Sequence, residues 1–443
     1  MKEMSLNLLR HYKSFKDIIK KVDILNSFYT STYELLDKER KDLKSKYKDE
    51  LFVIEKLDNL TEDYKNIDEQ KIQEFENTKL SNGKPISSCV KLQINIETKD
   101  GKHDTYLQMK KTNSFNLFGV KQMKEECDSK FDILSTSILD RMVSIFEEYL
   151  SSIYMLLIIE NPEKYIGGKQ ISLVDLLNKK EHPILQAIET EIENQMFDSM
   201  KCLNEILKKN KIPSSSIKNE MKNFEEIYYR RNLFVHNGGV VNDFYLSGVG
   251  ETAFKKGEKL VCDDKYNKKA FINLTNFLVS IEFNFEKIIG LDKKRKESIS
   301  DYGFSCLCNG KYEIAEHIYG LLKTRKDIEH IYRLMFFINY LNARKQLKYN
   351  ISKELATLDV SACTDNFKIA KLCLEDKNEE VFEFINKTYP NSFNAIELRD
   401  WPIFINFRNT SYYETFVKEH RSDFETFMIE NETVDEIEDS ELK

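Results

Sequence analysis

Over most of the chain, apolar residues recur every three or four positions, the spacing that lines them up on one face of an α-helix. The first segment shows this twice, in HYKSFKDIIKKVDILNSFY and TYELLDKERKDLKSKYKDELFVIEKL, and predicts two helices or a helical hairpin. After the polar break KLSNGKPISS the period changes. CVKLQINIETKDGKHDTYLQMKKT alternates apolar and polar residues on both sides of Asp100-Gly101, which predicts a β-hairpin near residues 90–112. Two strands alone are marginal, so the hairpin is expected to pack on a helix or extend another sheet.

Helical spacing returns from about Glu125 to Leu291, first in FDILSTSILDRMVSIFEEYLSSIYMLLIIENPEKY and then in PILQAIETEIENQMFDSMKCLNEILKKN. A further helix is expected to begin near Ser214, where SSSIKNE offers a serine cap with Glu220 in the first turns, and to stop at Asn237-Gly238-Gly239. AFINLTNFLVSIEFNFEKII supplies another, so this region reads as a bundle of four or five helices. Beyond the polar stretch LDKKRKESISD, the segments FSCLCNGKYEIAEHIYGLL and IAKLCLEDKNEEVFEFI share one shape, helix, tight polar turn, helix. Their separation fits two helix-turn-helix repeats. The expected organisation is mainly α: a helical N-terminal region with a hairpin over 1–124, a helical bundle over 125–291, a helical-repeat-like domain over 300–428, and a tail over 429–443.

Composition supports the helical reading, because only 14 Gly and 6 Pro punctuate 443 residues. Charge changes the picture more. The net charge is −7, but Glu430 to Lys443 holds seven acidic residues against one basic, leaving the body near neutral. A near-neutral body has no global nucleic-acid footprint, so any such site must be local, and the acidic tail could compete for it. The eight cysteines show no paired zinc spacing, and MKEMSLNLLRHYKSF lacks the apolar run of a secretory leader. Reduced, structural thiols in a cytoplasm are therefore expected. The most apolar run, Tyr149 to Ile159, is about half a bilayer span and reads as core.

The candidate chemistry lies in YYRRNLFVHNGGVV, Tyr228 to Val241. On a wheel at about 100° per residue, Phe224, Ile227, Tyr228, Phe234 and Val235 form one apolar stripe with Arg231 near its centre. Arg230 points elsewhere and is expected to make an exposed ion pair with Glu226. A guanidinium on a buried stripe is costly unless something polar or anionic meets it. Against this stands a plainer account, in which Arg231 snorkels outward and His236 merely sits in a last helical turn that favours cations.

The arrangement Arg231-Asn232-Leu-Phe-Val-His236 resembles the R-x4-6-H motif of the HEPN superfamily (higher eukaryotes and prokaryotes nucleotide-binding). A polar residue directly after the arginine, as Asn232 is, is typical of that family. The phrase RRNLFVHNGGVVNDFYL and the preceding long apolar helix with its YIGGKQISLVDLL connector look like bacterial HEPN proteins of defence systems. The resemblance covers roughly residues 125 to 290. It implies metal-independent endoribonuclease activity, with two HEPN domains pairing so that both motifs line one cleft. In that reading Arg231 and His236 are catalytic, with Asn232, Asn237 and Arg230 supporting. No metal or cofactor is expected. RNA, tRNA among the candidates, is the substrate, and the protein is a homodimer, with a protein or phage-derived trigger at the helical repeats and no membrane partner.

The other candidates are weaker. His103, His182, His317, His330 and His420 lack partners at metal-ligand spacing and read as surface or core. YIGGK lacks the spacing of a phosphate-binding loop. Tyr245 is expected to pack behind the motif. The leading reading is a ribonuclease toxin or effector of antiphage defence by abortive infection. A non-catalytic HEPN dimerisation or interaction scaffold is the alternative. A third reading pairs the chain with a nucleotidyltransferase antitoxin that modifies a tyrosine such as Tyr245.

Overall fold

The computed structural model describes residues 14–62, 67–99, 102–111, 116–167, 183–250, 252–289 and 293–424. The Asp100-Gly101 turn, His182, most of the connector after Tyr165 and the acidic tail lie outside the described residues. The fold is mainly helical with one two-stranded antiparallel sheet among the described residues. The chain divides into two compact units. The first comprises the described residues of Met1–Ile19, Phe146–Glu226 and Ala270–Lys443, and the second Lys20–Ile145 and Ile227–Lys269.

In the second unit from Lys20 onward, α1 (Phe15–Lys46) runs on through Ser31, where a break between two helices was expected, and the division from α2 (Lys48–Glu62) falls instead at Tyr47. A short α3 (Glu69–Asn77) follows, capped by the Asp68 side chain on the Lys71 N–H. Strands β1 (Val90–Lys99) and β2 (Lys102–Lys111) pair from Val90↔Lys111 to Lys99↔Lys102. Alternation puts Val90 and Leu92 inward, where they join Val53, Ile72, Phe75 and Leu80 in one core. The hairpin thus gains the helical support that a lone pair of strands lacks. Glu76 of α3 also accepts the Leu92 N–H at 2.8 Å.

The 44-residue α4 (Leu117–Glu160) begins against that core. It is long and apolar enough to cross a membrane, and 72% of its most apolar window is buried inside the protein. Tyr149 to Ile158 is almost wholly buried. Helices α5 (Pro162–Ile166), α6 (Pro183–Met196), α7 (Ser199–Lys209), α8 (Lys218–Asn237), α9 (Asp243–Val249) and α10 (Asp264–Ile289) follow. In the first unit, Phe224 of α8 lies between Phe146 of α4 at 4.6 Å and Phe277 of α10 at 4.8 Å, ring centre to centre. Nearby, the buried Tyr149 phenol donates to Glu282.

From Lys293 the stretch expected as a polar linker is already helix. Helix α11 (Lys293–Cys308) pairs with α12 (Tyr312–Leu322), and α13 (His330–Gln346) packs against α12. The short α14 (Ser352–Leu355) leads to a second hairpin, α15 (Asp365–Leu374) and α16 (Asn378–Thr388). The two hairpins turn in the same way. Gly310 at φ +70° ends α11 and Asp376 at φ +57° ends α15. The next N–H reaches back five residues in both, Lys311 to the Cys306 carbonyl and Lys377 to the Leu372 carbonyl. Helices α17 (Ala395–Asp400) and α18 (Ser411–Glu419) complete the unit. None of the eight cysteines is joined in a disulfide, and burial pushes the Cys202 and Cys373 thiols up to about 12.

His317 on α12 is a core histidine with partners. Its Nε2 lies 2.8 Å from Ser280 Oγ of α10, and its Nδ1 lies 3.7 Å from Glu220 of α8. Burial holds its pKa below the ordinary value, and the Glu220 carboxylate offsets this only in part. The unfolded chain therefore takes up the proton first as pH falls, so this group costs stability below the ordinary histidine pKa and none above it. We expect the Tm of the wild type to drop more than that of His317→Gln between about pH 7 and about pH 5. Thermal melts across that range check this, and equal slopes would show that His317 takes up its proton as readily in the fold as in the unfolded chain.

Candidate functional site

The candidate site is built by α8 and the segment that follows it. Its start differs from the sequence expectation. Ser214–Ser216 form a 3-10 turn in which the Ser216 hydroxyl donates to the Pro213 carbonyl at 2.7 Å, so the helix begins only at Lys218. The residue at the cap position is therefore Ile217, whose carbonyl accepts the Met221 N–H, and no serine occupies it.

The buried positions along α8 are Met221, Phe224, Ile227, Arg230 and Leu233. They recur every third residue, and each step turns the buried face by about 60°. By the end of the helix the face has rotated away from Val235, which is 55% exposed. The expected stripe of Phe224, Ile227, Tyr228, Phe234 and Val235 therefore holds only for its first half. The buried arginine is Arg230, at 5% exposure, and the expectation of an exposed Arg230 is overturned. It is accommodated by a donated hydrogen bond to the Val261 carbonyl at 3.0 Å. Its guanidinium also lies 4.0 Å from the Tyr266 ring centre and 5.5 Å from that of Phe254. Two aromatic faces and a carbonyl replace the water that the cation gives up.

Arg231 sits at the boundary, its side chain 19% exposed. Its Nε is 3.4 Å from Asp140 Oδ1 on α4, and its Nη1 donates to the Asn232 side-chain oxygen at 2.9 Å. The structure thus brings Arg231, Asn232 and Asp140 together. Asp140 was not singled out in the sequence. The one local cue was a carboxylate inside the apolar run SILDRMV, and nothing local pairs it with Arg231. His236 and Asn237 are exposed at the end of the helix.

Asn237 works in the stop, its side-chain amide donating to the Val240 carbonyl. Gly239, at φ +79°, gives its N–H to the Leu233 carbonyl at 3.1 Å, and a Cβ there would lie 2.7 Å from the Phe234 ring. The chain then pairs back on itself, with Val241 N–H to Glu258 O at 2.8 Å and Leu260 N–H to Gly239 O at 2.9 Å. Leu233, Val241, Tyr245 and Leu260 close a small core behind the motif. Tyr245 is 0% exposed, which places it behind the motif and out of reach of a modifying enzyme.

Around this end several large apolar side chains face outward: Val235 at 55%, Phe244 at 60% and Val261 at 66% exposed. On α4, Ile133 is 65% exposed and lies two turns before Asp140, so it shares that residue's face. Elsewhere, Ser280, His317 and Glu220 are the components of a nucleophilic triad. Ser280, however, is 1% exposed in the middle of α10, where no substrate reaches its hydroxyl. Among the described residues no group of three or more His, Cys, Asp or Glu could hold a metal ion.

The adjacent arginines are expected to separate experimentally. Arg230→Ala should lose roughly 1–3 kcal/mol, from the stacking and the hydrogen bond together. Arg231→Ala, which removes an ion pair to a largely exposed carboxylate, should lose about 0–1 kcal/mol. Urea unfolding of the two variants measures both, and a reversed order would mean that α8 is rotated from this arrangement.

Compared with family models, with curated proteins and with solved structures, the chain matches none.

Proposed function

We propose that the chain is a HEPN-type endoribonuclease that cleaves RNA without a metal ion, acts as a homodimer in the cytoplasm, and serves as a toxin or effector of antiphage defence. The observation that carries this reading is the placement of Arg231 and His236. Arg231 is held at the surface boundary by Asp140 and Asn232, and His236 stands exposed at the end of the same helix. Val235, Phe244 and Val261 offer apolar area beside them, which suits a second copy whose own motif would complete the cleft.

In this reading the 2′-oxygen of a ribose attacks the adjacent phosphorus while the bond to the 5′-oxygen breaks. One His236 takes the 2′-OH proton and the second copy's His236 gives a proton to the departing 5′-oxygen. Arg231 contacts the non-bridging oxygens, where negative charge gathers in the transition state. The products are a 2′,3′-cyclic phosphate and a free 5′-OH. DNA, lacking the nucleophile, is not cut.

The alternative, a non-catalytic HEPN scaffold, draws support from one observation. Arg231 already has a carboxylate and an amide as partners, so an ion-pair role alone would account for it. Cleavage of total tRNA and a single-stranded RNA in EDTA separates the two. The wild type should cut, and His236→Ala and Arg231→Ala should each lose about a hundredfold or more in rate. Equal activity in all three proteins would end the nuclease reading at these residues. Where the purified protein is held off until triggered, growth arrest on expression that vanishes with His236→Ala supports it. Harmless expression of every variant supports the scaffold.

A further inference from the structure

Away from the arginine site, the C-terminal helices of the first unit enclose a groove. It comprises a larger cavity of about 550 Å³ and a smaller cavity of about 350 Å³. Phe304, Asn366 and Trp401 line both, so the two are continuous. Phe304 comes from α11 and Asn366 from α15, the first helices of the two matching hairpins, and Trp401 follows α17. The Trp401 ring is held from behind by Phe404 at 5.4 Å and Phe393 at 6.5 Å, and Arg408 donates to its carbonyl at 3.0 Å. Phe304 remains 40% exposed.

The charged side chains that line the groove are acidic, and two cations, Arg399 and Arg408, stand against Asp400. No lysine or arginine lines either cavity, whereas Asp301 lies in the larger and Glu397 and Asp400 in the smaller. Asp400 is paired with Arg399 at 2.7 Å. Asp301 and Glu397 have no cation within ion-pair distance among the described residues. An anionic ligand such as RNA is therefore disfavoured here, and a cationic one favoured. The order along the groove is carboxylate, aromatic centre, carboxylate, with the exposed amide of Asn366 beside the centre.

We propose that this groove takes an extended segment of a partner protein that carries one apolar side chain between two basic ones. The apolar side chain would enter between Phe304 and Trp401, the basic ones would meet Asp301 and Glu397, and Asn366 would pair with the peptide backbone. This gives a chemical identity to the partner expected at the helical repeats, and it holds or fails independently of the nuclease reading.

Trp401 is the only tryptophan in the chain, so its emission reports on the groove alone. The test titrates the full-length protein with short blocked Gly/Ser peptides bearing either Lys-Leu-Lys or Glu-Leu-Glu. Saturable change of Trp401 emission is expected with the lysine peptide, about tenfold tighter than with the glutamate peptide and weaker in high salt. Asp301→Lys and Phe304→Ala, both at exposed positions, should each weaken binding about fivefold or more with the helical circular dichroism unchanged. No emission change up to millimolar peptide, equal affinity for the two peptides, or unaffected variants would overturn the proposal. So would a single-stranded RNA that changes the emission at lower concentration than the peptide.

Discussion

Neighbouring residues on a helix point about 100° apart, so the two adjacent arginines of α8 meet different surroundings. The site depends on which one goes in. Arg230 does, because the chain after the helix returns to meet it with the Val261 carbonyl and the rings of Tyr266 and Phe254. A cation buried without such partners would cost several kcal/mol, so once they are in place the rotation of the helix is fixed. Arg231 then falls at the boundary within reach of Asp140, and Val235 and His236 fall outside. The burial of a structural cation decides where the candidate catalytic pair is presented.

What was legible in the sequence was what local patterns specify. The hairpin could be read because apolar–polar alternation runs on both sides of Asp100-Gly101, and the strands pair up to Lys99↔Lys102. The stop of α8 could be read because Gly238 and Gly239 take positive φ where other residues would be strained. The rotation of α8 could not. A wheel assumes one buried face along the whole helix, but Phe224 packs between Phe146 and Phe277 while Leu233 packs on Tyr245 and Leu260. Different partners along its length turn the buried face. Asp140 was illegible for a related reason, since its pairing with Arg231 is a tertiary contact between helices far apart in sequence.

The two C-terminal hairpins show the complementary case. Their sequences match weakly, yet Gly310 and Asp376 take the same left-handed conformation and the following lysines make the same backward hydrogen bond. The geometry needs only a residue that tolerates positive φ, and glycine and aspartate both do, for different reasons. Apolar spacing on the flanking helices does the rest. Spacing and turn position therefore carried the likeness where residue identity did not. The same hairpins hold Phe304 and Asn366 at corresponding sides of one groove, a placement that neither segment reveals alone.

The Asp140–Arg231 pair also sets terms for any anionic ligand at this site. Asp140 is 57% exposed, so water already solvates much of its charge and releasing it costs little. Arg231 is less exposed, at 19%, so its guanidinium is less screened by water than the carboxylate is. A phosphate in place of Asp140 would exchange one carboxylate contact for a bidentate contact. In the free chain the carboxylate keeps Arg231 oriented and neutralised, so the cation is neither lost to solvent nor buried uncompensated. In the proposed homodimer each copy would bring one such arginine and one exposed histidine, and the second copy would cover Val235, Phe244 and Val261.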